Sequence, residues 1–114
     1  MTTVFIAQPW QGRTEEEVVR ERCAIADKLR QLYGEIEIIA NFSPALNAIN
    51  GPIAVRAFAK EVEMLSDARV AAFGPGWSGD RGCRALHTVC EVFGMMVIDY
   101  VNPCLTEETV AGGQ

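Results

Sequence analysis

The chain has 114 residues, 49% hydrophobic and 22% charged, with a formal net charge of −5. That length and composition suit one domain with an ordinary buried core and exclude a disordered chain. The acidic balance argues against a nucleic-acid duplex as partner, because neutralising phosphates needs a basic face.

Residues 3–7 (TVFIA) are a β-branched and aromatic run that stops at Gln8 and Pro9, and they read as a buried first strand. The run is too short for a signal core or a membrane span. Residues 8–13 form a loop. Thr14 with Glu17 three residues later is a capping box, and Glu15, Glu16 and Glu17 favour the positive end of a helix. That helix runs to about Tyr33, with an inner stripe of Val18, Arg22 or Cys23, Ile25, Ala26, Leu29, Leu32 and Tyr33, and Gly34 suits its C-terminal stop.

Residues 35–40 (EIEIIA) read as a second strand, and 41–52 as a loop rich in Asn, Pro and Gly. A second helix over 53–66 turns Val55, Phe58, Ala59, Val62 and Leu65 inward, with Glu61 and Glu63 read as a solvated charged face. Residues 69–73 are a third strand and 74–80 a glycine-rich loop. A third helix over 81–93 carries the stripe Cys83, Leu86, Val89, Cys90 and Phe93 and stops at Gly94. Residues 96–100 are a fourth strand. The domain closes at about Asn102, and 103–114 form a polar, partly flexible tail.

The order βαβαβαβ with apolar rather than alternating strands means a parallel sheet of about four strands with helices on both faces, a flavodoxin/Rossmann-like three-layer α/β domain. Ligands in such sheets sit beyond the carboxyl ends of the strands, near the point where strand order reverses. Those ends carry Gln8 to Trp10, Asn41 to Ser43, the 74–80 loop, and Tyr100 to Asn102.

Gly74-Pro75-Gly76-Trp77-Ser78-Gly79 fits G-x-G-x-x-G between a strand and a helix, with Asp99 twenty residues beyond Gly79. The dinucleotide fingerprint belongs after a first strand, however, and only one strand follows here, so a full dinucleotide-binding half is not built. What the glycines do supply is close backbone approach, and the helix after them favours an anion. Cys83, His87 and Cys90 share a helix face and raise a metal tripod with Asp80. Structural zinc sites usually draw on two elements and cysteine is a common core residue, so neither a metal nor a cofactor is expected. The four cysteines (Cys23, Cys83, Cys90 and Cys104) form no C-x-x-C pair, which fits reduced thiols in a cytoplasmic protein.

Three stretches together resemble the nucleoside 2-deoxyribosyltransferase-like family, in particular its small phage-type relatives. They are Val4-Phe5-Ile6-Ala7-Gln8-Pro9-Trp10, Met64-Leu65-Ser66-Asp67-Ala68, and Pro75-Gly76-Trp77 through Asp80-Arg81-Gly82-Cys83-Arg84 to Gly94. The resemblance implies a carboxylate that attacks the anomeric carbon of a (deoxy)ribosyl group while the base leaves. It places Asp80 at the family's loop position, six residues before the nucleophile. That position holds Leu86, which has no lone pair to attack with, and His87 follows it.

Three functions are therefore in play. The first is a nucleoside- or nucleotide-binding protein with the catalytic carboxylate replaced, sequestering or sensing its ligand. Its binding residues are Ala7, Gln8, Pro9, Trp10, Gly74, Gly76, Trp77, Ser78, Gly79, Asp80 and Gly82, with Trp10 or Trp77 stacking on a base. The second is an active N-glycosidase or deoxyribosyltransferase using a relocated group, with Asp80 and His87 as the catalytic candidates and Glu61 a third. The last is a protein-interaction module in which Trp10, Phe42 and Trp77 face a partner. A homo-oligomer is expected in each case.

Overall fold

The computed structural model describes residues 1–40, 49–100 and 109–112. Its elements are β1 (Thr2–Ala7), α1 (Glu15–Tyr33), β2 (Ile36–Ala40), α2 (Pro52–Leu65), β3 (Val70–Phe73), α3 (Arg81–Phe93), β4 (Met96–Asp99) and β5 (Thr109–Gly112). They form one sheet of order β2-β1-β3-β4-β5. The first four strands are parallel, in registers that pair Val4 with Ile38 and Val70, and Phe73 with Asp99. The expected three-layer α/β architecture is present.

The strands β1, β3 and β4 lack alternation because both of their faces are buried. Val4, Ile6, Val70, Ala72, Ile98 and Tyr100 pack on one side against Ile25 and Leu29 of α1. Phe5, Ala7, Ala71, Phe73 and Val97 pack on the other against Leu65 of α2 and Cys83, Leu86 and Cys90 of α3. The sheet grows from β1 towards β2 in one direction and towards β3 and β4 in the other. Right-handed crossovers then require α1 on one face and α2 and α3 on the opposite one. Strand order reverses between β1 and β3, and the ends of those two strands frame the site.

The helix boundaries follow from local chemistry. The Thr14 hydroxyl accepts the Glu17 N–H at 3.1 Å and Glu17 Oε1 accepts the Thr14 N–H at 2.8 Å, so the capping box forms. The predicted inner stripe of α1 needs correction at two places. Cys23 is exposed, and Leu32 is 51% exposed because it lies in the last turn, where Tyr33 makes the core contact instead. In α2 the inward face is turned from the predicted one. Val55 is 68% exposed, Ala59 is exposed, and the packed stripe is Phe58, Glu61, Val62 and Leu65. These positions run i, i+3, i+4, i+7, so a glutamate on the stripe is carried inside with its neighbours. Glu61 is therefore buried and Glu63 is not. In α3 the stripe ends at Cys90. Phe93 is 80% exposed at the final turn, beyond the reach of the sheet.

The tail also departs from expectation. Residues 109–112 form a fifth strand, antiparallel to β4, pairing Asp99 with Thr109 and Met96 with Gly112. An edge strand of four residues with glycine at its end is too short to carry a pattern, which hid it in the sequence. Asn41, Phe42, Ser43, Asn102 and Cys104, named above, lie outside the described residues. Among the described residues no helix is long and apolar enough to cross a membrane.

Removing the α1 cap tests this account of its start. Thr14→Ala should lower stability by about 0.5–2 kcal/mol in urea titration. Hydrogen bonds from the Thr14 backbone N–H and hydroxyl hold the Glu17 carboxyl below its usual range. The stability this carboxylate contributes is present above its unfolded pKa and lost as pH falls through the lowered folded value. Glu17→Gln should thus cost most near neutrality and least in acid. A cost that does not shrink in acid contradicts it.

Candidate functional site

The site is built from the two segments that leave β1 and β3. Gln8, the first residue past β1, is fully buried. Its Nε2 donates to Val18 O and to Glu21 Oε1, both at 2.9 Å, and its Oε1 accepts from Arg22 Nε at 3.1 Å. A buried carboxamide satisfied in this way fixes the strand end to α1. Past β3, the Gly74 N–H donates to Ala7 O at 2.8 Å and ties the two strand ends together.

Space is tight at Gly74. A Cβ there would lie 3.2 Å from Glu21 Oε1, 3.3 Å from Gln8 Cγ and 3.4 Å from Ile25 Cδ1. Gly76 is needed for conformation: its φ of 82° is in the left-handed region, and it lies over Pro9.

Between these segments lies an open cleft of about 420 Å³, lined by Pro9, Arg13, Glu21, Pro75 and Gly76. Arg13 Nη1 donates to Pro9 O at 3.0 Å and to Glu21 Oε1 at 3.1 Å. Sequence reasoning missed Arg13 and Glu21. A signal for Glu21 was present: it stands three residues after Val18 and four before Ile25, on the buried stripe of α1. Of the predicted binding residues, Gln8, Pro9, Gly74 and Gly76 meet here. Ala7 contributes its carbonyl to the tie.

A second group forms where the loop enters α3. Trp77 opens a short 3₁₀ turn, Trp77–Gly79, with Ser78 and Gly79 exposed on it. The Trp77 ring stacks on His87 at 3.9 Å with an interplanar angle of 8°, and Phe73 meets His87 edge-on at 4.8 Å. His87 Nε2 lies 3.0 and 3.1 Å from the two carboxylate oxygens of Asp99, at the end of β4. Glu91 reaches Nδ1 at 3.4 Å. The imidazole is thus held at Nε2, faces Glu91 with Nδ1 and is covered on one face. Asp80 is buried and caps α3, its Oδ1 accepting the Cys83 N–H at 2.9 Å. Its carboxylate thereby supplies the negative charge that this helix start favours.

Leu86 is fully buried, packed in the core with Phe5, Phe73 and Val97. Gly82 faces away from the cleft and lines an apolar groove of about 220 Å³ with Ala54, Val55, Phe58, Arg81 and Ala85. Trp10 is half-buried.

Burial pushes the Cys83 thiol up, with the Asp80 charge and hydrogen bond adding to it. Burial with the Asp99 and Glu91 charges pushes Cys90 up to about 11. Both stay protonated near neutrality, which makes them poor nucleophiles and poor metal ligands. Among the described residues no group of three or more His, Cys, Asp or Glu side chains is placed to hold a metal ion.

Two measurements check this geometry. Asp99→Ala leaves a buried imidazole nitrogen without its partner and should cost about 1–3 kcal/mol, read as a lower urea midpoint with an unchanged slope. A variant as stable as the parent would show that the pair is not held as described. In iodoacetamide labelling at pH 8, Cys23 should react in the native protein and Cys83 and Cys90 only after denaturation. Equal rates at Cys23 and Cys83 would contradict the inward face of α3.

The chain matches no family model, no curated protein and no solved structure. Assignment of function therefore rests on the geometry of the site.

Proposed function

We propose that the protein binds a nucleoside or nucleotide in the cleft between the ends of β1 and β3 and does not cleave its glycosidic bond. The position of the cleft supports binding, since ligands in open α/β sheets gather where strand order reverses. The shape of the two loops supports it too. Gly74 and Gly76 bring backbone close, Pro9 and Pro75 stiffen the walls, and Arg13 and Glu21 give the cleft one donor-rich and one acceptor group.

The observation that carries the second half of the proposal is the burial of Leu86. Glycosyl transfer of the type suggested by the sequence needs a carboxylate at that position, in reach of the anomeric carbon, and a nearby acid for the departing base. A leucine sealed against Phe5 and Phe73 offers neither. Asp80 and His87 have structural tasks. Asp80 caps α3, and His87 is paired with Asp99 beneath Trp77. Binding without turnover suits sequestration or sensing of a nucleotide by a homo-oligomeric, cytoplasmic protein of phage type.

The test is thermal denaturation across ribo- and deoxyribonucleosides and their 5′-monophosphates, with chromatography of the same mixtures for free base. At a ligand concentration of about 100 times Kd, the folded state should gain about 2.7 kcal/mol, while free base stays at the level of a protein-free control. No stabilisation by any compound overturns the binding claim. Base release that vanishes in Asp80→Ala overturns the claim that catalysis is lost.

A further inference from the structure

We infer that Glu21 is the sugar-recognising residue of the cleft and makes it selective for ribose over 2-deoxyribose, a reading that rests on the nucleotide binding proposed above. Gln8 Nε2 and Arg13 Nη1 both donate to the same oxygen of Glu21, Oε1. Among the described residues Glu21 Oε2 has no hydrogen-bond partner, and the residue lines the cleft. Its side chain is 15% exposed and that of Arg13 23%, so the pair is largely shielded yet open on the cleft side.

A carboxylate oxygen in that position accepts hydrogen bonds and cannot donate them. What complements it is a ligand group that donates, with no negative charge of its own. Of the parts of a nucleotide, the phosphate is excluded by charge, and the ribose hydroxyls fit. The vicinal 2′- and 3′-hydroxyls offer two O–H donors to one carboxylate, whereas 2-deoxyribose offers one. This is the chemistry by which an acidic side chain recognises ribose in other open α/β sheets. Arg13 complements the other end of the ligand. It uses Nη1 for both Pro9 and Glu21, which leaves Nε and Nη2 for an acceptor such as a phosphate oxygen.

Gly74 supports the same assignment from the opposite wall. A Cβ there would lie 3.2 Å from Glu21 Oε1, a tight approach. The carboxylate is thus held by two donors and a steric cradle, so its second oxygen points in a fixed direction. Such preorganisation turns one hydroxyl into a large difference in affinity.

Titration calorimetry of the four common ribonucleoside 5′-monophosphates, each beside its 2′-deoxy counterpart, tests the inference on the unaltered protein. The best-bound ribonucleotide should bind about ten- to hundredfold more tightly than its deoxy partner, the range for a hydrogen bond to a charged group. Glu21→Gln should weaken the ribonucleotide, which donates two hydroxyls to the carboxylate, more than the deoxynucleotide, which donates one, and so narrow the gap. Equal affinity for the two sugars in the unaltered protein, or a preference undiminished in Glu21→Gln, overturns the role of Glu21 and leaves the binding site intact. Binding of none of the eight compounds overturns the nucleotide reading as well. The ratio in the unaltered protein decides the matter even if Glu21→Gln does not fold.

Discussion

A Cβ at residue 74 would meet Glu21, Gln8 and Ile25 at 3.2–3.4 Å. The carboxyl edge of the sheet is organised around that close approach. At the same residue the Gly74 N–H reaches Ala7 O, which joins the two strands whose order reverses there. The close approach also presses the loop against the α1 side chains that hold Gln8. Gln8 contributes two donor contacts and one acceptor contact, all to α1, so helix, strand and loop share one buried network. In a low-dielectric interior such a network is worth having only when it is satisfied. Substituting Gly74 would disturb it at its tightest point.

On the other face of the sheet the chain has solved a different problem. Phe73, Trp77 and His87 pack ring on ring, with Asp99 closing the far side of the imidazole. Leu86 sits one residue before His87 and turns fully into the core. The arrangement fixes the start of α3 without placing a carboxylate at residue 86. The two halves of the edge therefore differ in kind. The α1 side is polar, charged and open, while the α3 side is aromatic, paired and covered. A ligand that needs hydrogen bonds finds them on the α1 side.

The fold was readable because its signals are local and redundant. The capping box at Thr14, the apolar strands and the glycine-rich loop each mark one kind of element, and their alternation points to a parallel sheet covered by helices, though strand order is set only by the tertiary pairing. The position of the cleft followed from that topology. Its chemistry did not, because the spacing that puts Glu21 on the buried stripe of α1 does not show that Gln8 and Arg13 meet its carboxylate. The same limit explains Glu61 and Val55. The apolar residues of α2 are spread around the helix, so its inward face is set by which turn meets the sheet and not by composition. β5 was hidden for a related reason. An antiparallel edge strand needs only a partner's backbone, and its four residues carry little pattern of their own.

The central claim is that the cleft between β1 and β3 is where this protein meets its ligand. Amide and arginine side-chain NMR during titration with a ribonucleoside monophosphate addresses it most directly. The account predicts that the shifted signals cluster at Gln8, Arg13 Nε, Gly74 and Gly76. Shifts confined to Ala54, Gly82 and Ala85, in the groove between α2 and α3, would contradict it.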